Sequence, residues 1–164
     1  MYNNAPKKKV SKEEALLKLS SLCATAEYCE YDLRKKMQRW DMPAGAEDEV
    51  IERLTKERFI DEERYAHAFV REKFRFNKWG RVRIALELKR KGINEFTVED
   101  ALEEIPSDDN IETLRALIAS KKKSVKGKSD YEIRCKLIRF ALSRGFEMDD
   151  INEALGNEDF DNEE

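Results

Sequence analysis

Glycine, proline and histidine are scarce in this chain of 164 residues, which contains six, three and one of them. Few glycines and prolines, and no runs of β-branched residues, favour helices over strands. The one histidine, His67, and three scattered cysteines supply no tetrahedral set of metal ligands and no pair of nucleophile and base. We therefore expect a binding protein without catalysis, metal or cofactor.

Long apolar runs are also absent. No stretch approaches the roughly 20 apolar residues of a membrane span, and the first ten residues lack the apolar core of a secretory signal. The odd number of cysteines, Cys23, Cys29 and Cys135, argues against a closed disulfide framework. No glycine-rich loop is suited to cradling phosphates. We expect a cytoplasmic protein with reduced cysteines and neither a membrane partner nor a small-molecule substrate.

What the chain does contain is helical periodicity. Hydrophobic residues make up 40% of the sequence and charged residues 41%, so much of the helix surface must face water. Apolar residues recur at helical spacing between glycines, prolines and polar turns. We predict nine helices, over about residues 11–26, 30–40, 46–58, 61–76, 81–91, 97–104, 110–122, 130–144 and 148–155.

The helices follow a repeating pattern. A shift of 53 residues aligns Lys91-Gly92-Ile93 with Arg144-Gly145-Phe146, and a shift of 51 aligns Leu33 with Ile84. This predicts an all-α fold, a tandem and elongated array of three three-helix repeats without a sheet. We place unit 1 at residues 11–59, unit 2 at 60–106 and unit 3 at 107–156. A basic disordered start over 1–10 and an acidic disordered tail over 157–164 flank them.

Charges of opposite sign are segregated along the chain, although the net charge is only −3. Residues 71–91 contain nine basic and two acidic residues, and residues 115–144 contain ten basic and two acidic residues. Residues 157–164 carry five carboxylates. The two basic blocks include the second helices of units 2 and 3, where they can bind phosphates or an acidic protein, or simply face solvent.

Helical spacing also predicts which side chains face outward. In the second helix of unit 2, we expect Val82, Ala85, Leu86 and also Leu88 to pack inward. We expect the basic residues of the same helix to face outward: Arg83, Lys89, Arg90 and Lys91. Trp79, which lies between Lys78 and Arg81, is expected to pack between units rather than to stack on a nucleic-acid base.

Several sequence blocks resemble the RecX family. They are Cys23-Ala24-Thr25-Ala26-Glu27-Tyr28, Asp32-Leu33-Arg34-Lys35-Lys36-Met37, Phe59-Ile60-Asp61-Glu62-Glu63-Arg64-Tyr65-Ala66, Gly80-Arg81-Val82-Arg83-Ile84, Lys91-Gly92-Ile93 and Arg144-Gly145-Phe146. The resemblance extends over about residues 11–155. It implies an arc of three-helix repeats that lies in the groove of a RecA recombinase filament on single-stranded DNA. The resemblance also implies that a protein in this groove inhibits filament growth, ATP hydrolysis and strand exchange.

The candidate RecA- or DNA-binding residues are the basic residues of the second helices. They are Arg34, Lys35, Arg81, Arg83, Lys89, Arg90, Lys91, Arg134, Lys136, Arg139 and Arg144. Short helices joined by tight turns also describe helix-turn-helix proteins, so a DNA-binding regulator that acts without RecA is the alternative. Against it, no second helix has a compact set of Arg, Asn and Gln for base edges. A general helical scaffold and an enzyme of unrecognised type also remain open.

Overall fold

The structure, a computed structural model, describes residues 5–156, and in this range it contains nine helices and two short strands. The helices are α1 (Lys12–Cys23), α2 (Glu30–Met37), α3 (Ala46–Lys56), α4 (Glu62–Arg75), α5 (Arg81–Arg90), α6 (Glu95–Leu102), α7 (Ser107–Lys122), α8 (Asp130–Ser143) and α9 (Met148–Leu155). The strands are β1 (Lys8–Lys9) and β2 (Trp40–Asp41). The predicted all-α class is confirmed, and each helix lies where apolar periodicity places it, apart from small differences at the ends.

The two strands form a small parallel pair that the sequence did not predict. Lys8 lies opposite Trp40 and Lys9 opposite Asp41. The next residue, Val10, donates its N–H to the carbonyl of Asp41 at 3.0 Å and is only 2% exposed. The expectations of no sheet and of disorder are therefore wrong for residues 8–10, because Val10 belongs to the core of unit 1. The predicted acidic tail lies outside the described residues.

Several helices begin at side-chain caps that can be read from the sequence. The Ser11 hydroxyl accepts the N–H of Glu14 at 3.1 Å, and the Asp61 carboxylate accepts that of Arg64 at 2.9 Å. Ser129 caps α8 in the same way through the N–H of Glu132. Each cap satisfies an N–H of the first turn, which has no partner within the helix.

The buried apolar residues form three clusters that broadly follow the three predicted units. Extensive helix contacts pair α1 and α2 with α3, connect α4, α5 and α6, and connect α7, α8 and α9. The result is an elongated helical repeat. Besides Val10, two residues cross the predicted boundary between units 1 and 2, since Cys29 packs in the second cluster and Ile60 in the first. The boundaries of the units therefore stay a proposal.

The second helices, α2, α5 and α8, are joined end to end. Lys91, directly after α5, places its Nζ 2.9 Å from Oδ1 of Asp32 in the first turn of α2. At the other joint, the N–H groups of Gly80 and Val82 donate to the carbonyls of Arg144 and Gly145 at 2.8 and 3.0 Å. Carbonyls at the end of α8 therefore satisfy N–H groups at the start of α5. We call α2, α5 and α8 the helix row.

Gly145 is required at the second joint for two reasons. Its φ of +91° lies in the left-handed region, and a Cβ there would overlap the backbone and Cβ of Arg83. Gly92 occupies the matching place in unit 2 with a φ of +80°, but a Cβ there would meet nothing within 4 Å. The repeated basic-Gly-apolar signature thus ends α5 and α8 alike, and in unit 3 it also allows close contact with unit 2.

Candidate nucleic-acid and protein interface

All the predicted binding residues lie on the helix row or, for Lys91 and Arg144, directly after its helices, but the structure gives them different environments. Four of them are exposed or half-exposed and are paired with neighbouring carboxylates. Arg34 contacts Glu30 and Asp48, Lys89 contacts Glu95, Arg90 contacts Glu87 and Lys136 contacts Glu132. Such surface pairs contribute at most about 1 kcal/mol, so a phosphate can compete with them. Their positive charge is nevertheless partly neutralised in the free protein.

Two other predicted residues hold the fold together. The Arg81 guanidinium donates to the carbonyl of Ile105, which follows α6. The Lys91 side chain is only 18% exposed and donates to Asp32 and to the hydroxyl of Tyr65, both at 2.9 Å. Desolvation opposes the charge of Asp32, yet the hydrogen bonds from Lys91 and Cys29 and the positive charge of Lys91 together outweigh it and lower the pKa of that carboxyl. The expectation that Lys91 faces outward is therefore wrong, because Lys91 links units 1 and 2.

The expected orientation of α5 is wrong for Val82 and Leu86, although Ala85 and Leu88 do pack inward. Val82 and Leu86 are 50% and 65% exposed, whereas Ile84 and Leu88 are fully buried. Residues two apart on a helix are separated by about 200°, so burying the Ile84 and Leu88 stripe turns Val82 and Leu86 outward. Both stripes are apolar, and the sequence alone did not distinguish them.

A group of unneutralised cations surrounds the joint between units 2 and 3. The Arg83 guanidinium lies 4.1 Å from the ring centre of Trp79, and Lys73 Nζ lies 5.1 Å from it. Arg144 and Lys121 lie 5.3 and 5.2 Å from the ring centre of Phe140. We call these four residues the joint cations. In the part of the chain that the structure describes, none of the four forms an ion pair.

The backbone contacts of the joint bring these residues to one region. Gly80 follows Trp79 and bonds to Arg144, and Gly145 contacts Arg83. Trp79 also packs against Phe69 in the second cluster, so its ring packs as expected, but within unit 2 and not between units. Arg139, on α8, is exposed and makes no ion pair within residues 5–156. Aromatic rings that hold cations without neutralising them leave the charge available to an anion.

Sequence reasoning identified Arg83, Arg139 and Arg144 but missed Lys73 and Lys121. Lys73 follows Phe69 by four residues on α4, a helical spacing that places its Nζ 5.4 Å from that ring, so a local signal existed. Lys121 meets Phe140 only through the packing of α7 on α8, for which the sequence gives no signal. The other predicted residues are Lys35, over the ring of Tyr31, and Arg134, which donates to the carbonyl of Gly156 at 3.4 Å.

His67 is part of a polar link within unit 2. Its Nε2 lies 3.1 Å from Asp100 and its Nδ1 lies 2.9 Å from Glu104, which connects α4 to the end of α6. Within residues 5–156, no group of three His, Cys, Asp or Glu side chains is placed to hold a metal ion. No helix in this range combines the length and hydropathy needed to cross a bilayer.

Two family models match the chain. The model described as the second three-helix domain of RecX matches residues 61–102, and the model of the third three-helix domain matches residues 107–155. Together they cover more than half of the chain.

Curated relatives give the same family. A protein named "Regulatory protein RecX" from Bacillus cytotoxicus is 31% identical over 142 residues, which cover 87% of this chain and 51% of the relative. Its counterpart from Bacillus thuringiensis is 29% identical over 134 residues, which cover 78% and 50%. That from Clostridium acetobutylicum is 32% identical over 130 residues, which cover 77% and 60%. The chain therefore spans about half to three fifths of the length of these relatives.

Solved structures share the fold. The crystal structure of RecX from Lactobacillus salivarius superposes with a TM-score of 0.75 at 21% identity, covering 88% of this chain and 94% of that one. A second crystal structure of a regulatory protein RecX superposes with a TM-score of 0.77 at 20% identity, covering 87% and 74%. At this identity the likeness establishes the architecture alone.

Proposed function

Because the chain belongs to the RecX family, we propose that it binds RecA recombinase filaments on single-stranded DNA and restrains them without catalysis. It lies in the filament groove and inhibits filament growth, ATP hydrolysis and strand exchange. The relatives named "Regulatory protein RecX" support the regulatory part of this proposal. Binding alone produces the effect, since three linked units that contact neighbouring filament subunits gain effective concentration from each added contact.

The observation that carries the proposal is the set of joint cations. Lys73, Arg83, Lys121 and Arg144 lie around the contact of α5 with α8, on aromatic rings and without ion-pair partners in the described range. Positive groups on aromatic surfaces suit the phosphates of a single strand. We therefore place the DNA contact at the joint of units 2 and 3, and assign Arg81 and Lys91 to the structure of the array.

The test is binding to single-stranded DNA over a range of salt concentrations. If the four joint cations contact four phosphates, log affinity falls against log salt with a slope near −3, at about −0.7 for each contact. The double variant Arg83→Gln and Arg144→Gln should reduce this slope by about 1.4 and weaken binding roughly tenfold at low salt.

A matched control is Lys89→Gln with Arg90→Gln, because both cations lie on α5 but are paired with carboxylates. We expect this control to change the slope of log affinity against log salt by less than half as much as the double variant at Arg83 and Arg144. A larger effect in the control than in the joint variant would place the DNA on the outer face of α5. Stronger binding to a specific duplex than to single strands, without RecA, would instead favour the helix-turn-helix alternative.

A further inference from the structure

A groove lies between α7, α8 and α9, where the chain leaves its last helix. The groove has a volume of about 270 Å³. Its apolar lining includes Ile118, Ile133, Leu137 and Leu155. Three cations and one carboxylate border it: Arg115, Lys122, Arg134 and Asp130. It therefore combines an apolar floor with a positive rim, which suits an acidic segment that carries one large apolar side chain.

The chain is directed towards this groove at its exit from α9. Leu155, the last residue of α9, lines the groove itself. Arg134 on α8 donates to the carbonyl of the following residue, Gly156, at 3.4 Å. The backbone after α9 is thus attached to α8 at the edge of the groove.

The sequence that follows has the matching chemistry. Residues 157–164 read Asn-Glu-Asp-Phe-Asp-Asn-Glu-Glu, with five carboxylates and one aromatic residue, Phe160. Phe160 is four residues beyond Gly156, so an extended chain carries it up to about 13 Å, a distance comparable with the width of a helix. We propose that residues 157–164 dock in the α7–α8–α9 groove, with Phe160 on the apolar floor and the carboxylates beside the cations.

Covalent connection to the groove and opposite charge both favour docking of this segment. An acidic segment in isolation stays solvated, but this one is attached to a basic surface, so its effective concentration there is in the millimolar range. Each exposed ion pair contributes no more than about 1 kcal/mol, so docking is reversible and weakens in salt. Docking would then cover part of the basic block of unit 3 and compete with a nucleic-acid strand. This second step rests on the proposed function, whereas the docking itself does not.

Docking is tested by comparing amide NMR spectra of the full chain and of a chain that ends at Gly156. We expect shift changes at residues that line the groove, such as Ile118, Ile133 and Leu137, and expect high salt to reduce the difference. Two variants of the full chain should give spectra close to that of the shortened chain. The first is Phe160→Ala, and the second combines Glu158→Gln, Asp159→Asn and Asp161→Asn. Unchanged groove amides, or changes centred on Trp79 and Arg83 instead, would overturn the proposal.

Competition is tested by titrating single-stranded DNA into the same proteins. The shortened chain and the variant with neutralised carboxylates should bind about three to ten times more tightly than the full chain at low salt, and equally at high salt. In a protein that carries both Arg115→Gln and Lys122→Gln, removal of residues 157–164 should increase the affinity for single-stranded DNA by a smaller factor. If these proteins bind single-stranded DNA equally well while the groove amides still show the expected shift changes, competition is overturned and docking stands. If none of the proteins binds DNA, the proposed function fails while the NMR result still decides the docking.

Discussion

At the scale of single residues, His67 is the side chain whose charge changes near neutral pH. Desolvation opposes its protonation, but hydrogen bonds to Glu104 and Asp100 outweigh that effect and raise the pKa of the imidazole above its ordinary value near 6.5. Both ring nitrogens face a carboxylate, so the doubly protonated form fits the site best. His67 therefore stabilises the fold when it is charged.

This predicts how stability depends on pH. Because the folded pKa exceeds the unfolded one, the contribution of His67 is complete below pH 6.5 and is lost as the pH rises through the folded pKa. Replacing His67 with Gln should cost about 0.5 kcal/mol at acidic pH, as for other partly exposed ion pairs, and close to nothing in alkaline solution. Denaturant titrations of both proteins on either side of the folded pKa check this. A cost that grows with pH would contradict the assigned pairing.

A second residue-scale prediction compares two glycines. Gly145→Ala should destabilise the protein more than Gly92→Ala, because both place Ala at positive φ but only the first forces a Cβ into Arg83. We expect a cost of about 1 to 2 kcal/mol at Gly92 from backbone conformation alone, and clearly more at Gly145. Equilibrium unfolding of the two variants measures the difference. Equal losses of unfolding free energy in the two variants would mean that the contact of Gly145 with Arg83 adjusts to a Cβ without cost.

At the scale of elements, the end-to-end helix row determines which basic residues form structural contacts within the array and which stay exposed. Lys91→Gln should remove the link between α5 and α2 and leave the half-buried Asp32 without its cation, at a cost of about 1 to 2 kcal/mol, less than for a fully buried pair. The control Lys89→Gln, which removes an exposed pair two residues away, should cost less than about 0.5 kcal/mol. Unfolding free energies test both. If the Lys91→Gln variant were as stable as the unchanged protein but bound DNA more weakly, Lys91 would be a DNA-binding residue and not a structural one.

The helices themselves were predictable, because each is defined by local apolar spacing and by caps such as Ser11 and Asp61. The strand pair was not, since two residues are too few to show a period and Val10 gains its burial from distant packing. Lys91 was misplaced for a related reason. Its partner, Asp32, is 59 residues away in the sequence, and nothing local indicates that the two meet.

At the scale of the whole molecule, the repeat and the family could both be identified from the sequence. The recurrence of Lys91-Gly92 as Arg144-Gly145 gave the repeat, and the motif blocks gave the family. The arrangement of units could not be identified, because it depends on contacts such as Gly80 with Arg144 that join separate repeats. The same contacts connect unit 3 to unit 2, because carbonyls at the end of α8 accept N–H groups at the start of α5.

The central claim is that the array restrains RecA by occupancy and that the joint of units 2 and 3 is essential to it. The measurement is ATP turnover by preassembled RecA on single-stranded DNA, titrated with this protein, with the Arg83→Gln and Arg144→Gln variant, and with a chain lacking residues 106–164. We expect the full chain to slow turnover at well below one copy per RecA subunit, the double variant to require higher amounts, and the shortened chain to have no effect. Unchanged turnover with the full chain, together with no association with the filament at moderate salt, would contradict the account.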